Sequence, residues 1–190
     1  EIAYKMNMFE DVERCSQALR VFSQKESTKL ANKYYCLSQY YLAECASTFN
    51  KIRFSISVYE KLIKSICRKC SEEPYYGLFL SSKINCSALL DKVKSHRRAR
   101  LHLESALAVV KHNKYNKYYH ALILFSIAKQ EFMRKPERAL AMLDKLISIC
   151  RYTKNAELKA LLNDAICYKR SLEVCRKDDA AKHGVEASDF

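Results

Sequence analysis

The chain has 190 residues, 49% of them hydrophobic, with 34 Lys plus Arg against 21 Asp plus Glu and a formal net charge of +13. A chain of this length and apolar content buries about 70% of its extended surface, which excludes disorder for most of it. Two Gly and two Pro exclude a many-stranded sheet with tight hairpins, and neither a G-x-G-x-x-G nor a P-loop phosphate cradle can be written with Gly77 and Gly184 alone.

In chain order, apolar residues spaced by three and four predict helices over about 7–24, 28–49, 52–70, 74–92, 95–112, 115–134, 136–151 and 154–177. Leu37, Tyr41, Leu42, Cys45 and Phe49 share one face in the second of these, and Leu122, Phe125, Ala128 and Phe132 share one in the sixth. Pro74 and Pro136 fit first turns, where a missing N–H costs nothing. Residues 178–190, with Gly184 and few large apolar side chains, are expected to form a flexible tail. No Pro, Gly or Ser linker divides residues 7–177.

The chain repeats itself. Asn32-Lys33-Tyr34-Tyr35 recurs as Asn116-Lys117-Tyr118-Tyr119, with Glu73-Pro74-Tyr75-Tyr76 between them, so Tyr pairs begin at 34, 75 and 118. Each pair opens a helix. Adjacent helix residues point about 100° apart, so one Tyr of each pair is expected in the core and the other toward a groove. The helix that follows carries small-x3-large-x2-(small or Leu)-apolar. It appears as Ser55, Tyr59, Leu62, Ile63, as Ala99, Leu103, Ala106, Leu107 and as Ala139, Leu143, Leu146, Ile147. A less clean copy is Asp11, Cys15, Ala18, Leu19. Small residues at the first position let two antiparallel helices approach closely, and the large residue fills the space beside them.

This second-helix signature, with Leu42-Ala43 and Ala46 in the helix before it, resembles the tetratricopeptide (TPR) repeat over roughly residues 7–177. It departs from that family in three ways. The period is 40 to 44 residues where the family has about 34, there is no Trp, and Ala43 and Ala128 stand where the family has Gly. The resemblance implies an all-α fold: a right-handed α-α solenoid of about four antiparallel helix pairs, in a single domain over 1–177. The same pattern also fits another right-handed helical-pair solenoid, such as the helical part of a PCI-domain protein, and HEAT-type pairs have periods of 40 and more; the small-x3-large signature favours TPR-like packing. The first helix is of the second type and lacks a partner before it, and the chain starts at Glu1. A piece of a longer array is therefore expected.

Chemistry-bearing motifs are sparse. Cys67-Arg68-Lys69-Cys70 is the only C-x-x-C. A zinc site there would need two more ligands, of which Cys86 and His96 are the nearest in sequence, and neither has a second-knuckle spacing. His96, His102, His112, His120 and His183 form no H-E-x-x-H. The pair Glu72-Glu73 suits a helix dipole. No catalytic residue, cofactor or metal ligand is therefore assigned. Nine Cys, an odd number set singly in apolar patterns, suggest reduced thiols and a cytoplasmic or nuclear protein. No run of about 18 apolar residues would span a membrane.

The charge gathers at helix ends. One edge is expected to carry Lys51 and Arg53, then Lys92, Lys94, Arg97, Arg98 and Arg100, then Arg134, Lys135 and Arg138. The other carries Lys64, Arg68 and Lys69, then Lys111, Lys114 and Lys117, then Arg151 and Lys154. Charged helix ends are also what plain solvation and the helix dipole explain. The candidate partner-binding residues are Tyr40, Tyr41, Lys92, Lys94, Arg97, Arg98, Arg100, Lys111, Lys114 and Lys117. The expected function is a protein–protein scaffold that holds an extended or helical, acidic partner segment along its groove. The alternative is nucleic-acid binding, to chromatin or RNA, through the basic stripes.

Overall fold

The three- and four-residue spacing resolves into eight α-helices and no strand among the described residues: α1 Phe9–Glu26, α2 Lys29–Thr48, α3 Ile52–Ile66, α4 Tyr75–Lys92, α5 His96–His112, α6 Lys117–Glu131, α7 Pro136–Cys150 and α8 Ala156–Lys182. The structure is a computed structural model. It describes residues 9–26, 28–70, 72, 75–112 and 116–182, and the side chains of all of these but 111, 112 and 177–182.

Local chemistry sets the helix starts. The Thr28 side chain accepts the Ala31 N–H at 3.1 Å, Asn116 accepts from Tyr119 at 3.2 Å and Asn155 from Leu158 at 3.0 Å. Each satisfies a donor that the first helical turn leaves over. Pro136 sits in the first turn of α7. The last helix runs on to Lys182, past residue 177 where the apolar pattern stops, and the rest of the expected tail lies outside the described residues.

By compactness the chain divides into two units between Val109 and Val110, inside α5; no sequence punctuation marks that point. In the first unit α1 packs on α2, α2 on α3 and α3 on α4, and α2 also reaches α4. In the second, α6 packs on α7, α7 on α8, and α6 also reaches α8. Within each unit consecutive helices thus pair, and the first-type helix of one pair touches the first-type helix of the next.

The turns repeat too. Asn50 (φ 57°) and Lys94 (φ 61°) both take the left-handed conformation. Lys51 N–H closes onto Ala46 C=O at 2.8 Å, and Ser95 N–H closes in the same way onto Leu90 C=O at 2.8 Å. This is a Schellman-type helix end, which ties off orphan carbonyls and reverses the chain within a few residues.

The first three positions of the second-helix signature lie in the core, whereas the fourth is half-buried at Leu107 and Ile147. Ser55, Tyr59, Ala99, Leu103, Ala106, Ala139, Leu143 and Leu146 have no exposed surface, and Leu62 is 2% exposed. Each such Leu contributes about 1.5–3 kcal/mol relative to an exposed one. Ala43 and Ala46, the small positions of α2, are equally closed off.

Two expectations need correction. In α1, Cys15 and Ala18 are exposed and the buried face is Phe9, Val12, Ser16 and Ser23, so the expected first copy of the signature does not form the buried face. Ser16 there meets α2, where Ser38 donates to its hydroxyl at 3.3 Å and Gln39 also donates to it. Tyr75 and Tyr76 are both buried, at 2% and 3%, so that pair does not divide between core and groove. In the others Tyr34 is exposed and Tyr35 half-buried, and Tyr118 and Tyr119 are both half-buried.

Candidate functional site

The densest basic segment straddles the α4–α5 turn. Its backbone is fixed by the closing bond of Ser95 and by His96, whose Nδ1 lies 2.5 Å from Asp91 Oδ1 across the turn. Lys92, Lys94, Arg97, Arg98 and Arg100 are all exposed. They are not equivalent. Arg98 donates to Glu60 of α3 at 2.5 Å, and Arg100 lies 3.5 Å from Glu104 one turn along its own helix. Lys92, Lys94 and Arg97 have no ion-pair partner among the described residues.

The other expected members are scattered. Lys117 is exposed, whereas Lys114 and the side chain of Lys111 lie outside the described residues. Tyr40 and Tyr41 are half-buried, with ring centroids 5.8 Å apart. Tyr40 also lies 5.9 Å from the ring of Tyr59 and accepts from Asn85 Nδ2 at 3.1 Å. Asn85 donates to Glu44 as well, at 2.7 Å, and the Tyr59 hydroxyl donates to that carboxylate. Burial and the adjacent Glu44 push the Tyr59 phenol far up, so it stays a donor. This network crosses α2, α3 and α4, and it commits Tyr40 to packing on that side.

Beneath Arg98 lies a second polar cluster. Glu60 from α3, Lys83 and Cys86 from α4 and His102 from α5 converge. The Cys86 sulfur is 3.9 Å from His102 Nε2, and Glu60 Oε1 is 3.6 Å from the same nitrogen. Lys83 Nζ donates to Ser105 Oγ at 2.8 Å. Cys86 is fully buried, and burial, helped by the Glu60 carboxylate, pushes its thiol up to about 12. Burial first, then Lys83, holds the His102 imidazole below its ordinary 6.5. Desolvation also lowers the Lys83 ammonium.

The cluster lacks the geometry of a nucleophile triad. Cys86 and Glu60 both face Nε2, whereas a nucleophile–base–orienter set uses the two imidazole nitrogens separately. A protonated thiol with no exposed surface also reaches no substrate. Three different ligand types are nonetheless within 4.8 Å of one another, which is within reach of one metal ion.

The C-x-x-C takes no part in that cluster. Cys67 is exposed and bonds the Lys64 carbonyl at 3.3 Å, Cys70 is half-buried, and the two lie at a 3-10 turn after α3. Of the sequence-nominated zinc ligands, Cys86 enters the cluster and His96 pairs with Asp91 instead. Sequence reasoning passed over Glu60, Lys83 and Asn85. The available signal was a Lys and an Asn set inside the apolar run Leu78–Leu90 of α4, which bury polar groups that need partners. No helix among the described residues is long and apolar enough to cross a membrane. Comparison with protein-family models, with curated proteins and with solved structures gives no match.

Proposed function

We propose that the chain is a protein–protein interaction scaffold built as a TPR-like right-handed solenoid, working in the cytoplasm or nucleus. The observation that carries the reading is the recurrence of one contact scheme: a small, fully buried residue opens α3, α5 and α7, and first-type helices of successive pairs touch within each unit (α2 with α4, α6 with α8). Stacking of that kind presents a surface without chemistry of its own, suited to an extended or helical segment. Lys92, Lys94 and Arg97, exposed and without ion pairs among the described residues, favour an acidic one.

The test is fluorescence anisotropy with a labelled Glu-rich helical peptide and a labelled 20-base-pair duplex, each over a salt series. The scaffold reading expects peptide binding that survives moderate salt, because groove burial is largely apolar. Tight duplex binding with a steep log–log salt slope, and no peptide binding, would overturn it in favour of nucleic-acid recognition. The same unpaired cations are the specific observation behind that second reading.

A further inference from the structure

We propose that Glu60, Cys86 and His102 are the protein ligands of a Zn2+ site that fastens α3, α4 and α5 together. The donors come from three helices of the first unit and face one another within 4.8 Å. The direct contacts among them are long. The 3.6 Å between His102 Nε2 and Glu60 Oε1 is too long for a hydrogen bond. The 3.9 Å between His102 Nε2 and Cys86 Sγ is at best a weak one.

Those separations are close to what one tetrahedral ion would impose. Zn–S of about 2.3 Å and Zn–N or Zn–O of about 2.0–2.1 Å place neighbouring donors roughly 3.3–3.6 Å apart. The two separations from His102 need to close by only a few tenths of an ångström, and Cys86 and Glu60 lie within 4.8 Å of each other. A thiolate, an imidazole and a carboxylate form a mixed donor set that suits Zn2+ better than Mg2+ or Ca2+. The charges also close: thiolate and carboxylate together neutralise the ion.

The surroundings act in both directions. Arg98, 2.5 Å from Glu60, would remain on the carboxylate as an outer partner that orients it. Lys83, on the same helix as Cys86 and bonded to Ser105, opposes the ion by its charge. Three protein ligands leave the fourth position to water. Binding would release the thiol proton and, by favouring the folded state alone, raise thermal stability.

The experiment uses the full chain, stripped with chelator and titrated with Co2+ and then Zn2+. One equivalent of Co2+ should give a thiolate-to-cobalt charge-transfer band that Zn2+ abolishes. Cys86→Ala should remove the band, and His102→Gln should weaken Co2+ binding at least about tenfold. The double variant Cys67→Ser/Cys70→Ser should keep the band. Circular dichroism of each metal-free variant separates a lost ligand from a lost fold. Lys83→Met keeps every ligand and should tighten binding. The inference is overturned by the absence of a charge-transfer band, by a band that disappears with Cys67 and Cys70 instead of Cys86, or by affinity that neither His102→Gln nor Lys83→Met moves.

Discussion

The Ser55 hydroxyl of α3 donates to the Ala43 carbonyl of α2 at 2.7 Å, and both residues are fully buried. A side chain two atoms long bridges two helices there, so α2 and α3 pass close to one another at this point. Ser55→Ala should cost about 1 kcal/mol through the lost bond. Ser55→Leu should cost more, because the larger side chain has nowhere to go. Urea unfolding of both variants orders the two effects.

In α5 Ala99 holds the position of Ser55 and Ala106 that of Leu62, and neither has exposed surface. Ala99→Leu and Ala106→Leu should each cost about 1–3 kcal/mol by overpacking, or a fall in Tm of roughly 2–4 °C per kcal/mol for a chain of this size. Unchanged Tm in both would show that α5 does not use this face for its contact.

Lys94 has φ 61° at the turn into α5. A lysine pays about 1–2 kcal/mol for the left-handed conformation, which Gly adopts freely. Lys94→Gly should therefore raise stability by up to about 1 kcal/mol, measured by denaturant midpoint at constant m-value. No gain would mean that the lysine side chain contributes an offsetting contact.

Within the basic segment, charge reversal should separate binding from folding. Lys92→Glu, Lys94→Glu and Arg97→Glu should weaken capture of the acidic peptide and leave Tm within about 1–2 °C, because surface changes without partners cost little. Arg98→Glu should lower Tm, because it places a carboxylate against Glu60. Equal Tm losses at all four positions would show that the whole segment is structural.

Cys36, Cys45 and Cys150 are buried, and burial raises each thiol above its ordinary value near 9.0. The sign follows from which state loses the proton first. Below about pH 9 both folded and unfolded thiols are protonated and the contribution is fully present. As pH rises further the unfolded chain ionises and the folded one does not, so stability falls toward the raised folded values. Native alkylation read by mass spectrometry should label the exposed Cys15, Cys67, Cys167 and Cys175 before these three. Simultaneous labelling of all would contradict the packing.

The helices and the faces of α3, α5 and α7 were legible in the sequence because burial of one stripe leaves a periodic trace. Ser55, Ala99 and Ala139 announce close approach by being small. In α1 the trace fails. Its buried face holds Ser16 and Ser23, which carry no apolar signal, so the pattern slips to Cys15 and Ala18. Tyr75 and Tyr76 escape for another reason. α4 is buried on much of its circumference, from Phe79 and Leu80 to Leu89 and Leu90, so adjacent residues both find a core. The Glu60–Cys86–His102 cluster was invisible because periodicity tells which face of each helix is inward, and not which inward polar groups meet. Only the joint placement of α3, α4 and α5 brings those donors together.

The left-handed turns at Asn50 and Lys94 are each closed by a main-chain hydrogen bond, to which the second adds the His96–Asp91 bridge. The reversal of direction therefore places almost no demand on what projects from it. Folding and recognition are written in different alphabets at these corners: backbone for the first, side chain for the second. Substitutions at Lys92 or Arg97 can accordingly drift toward a new partner without asking α4 and α5 to refold, so that selection can edit this corner one position at a time.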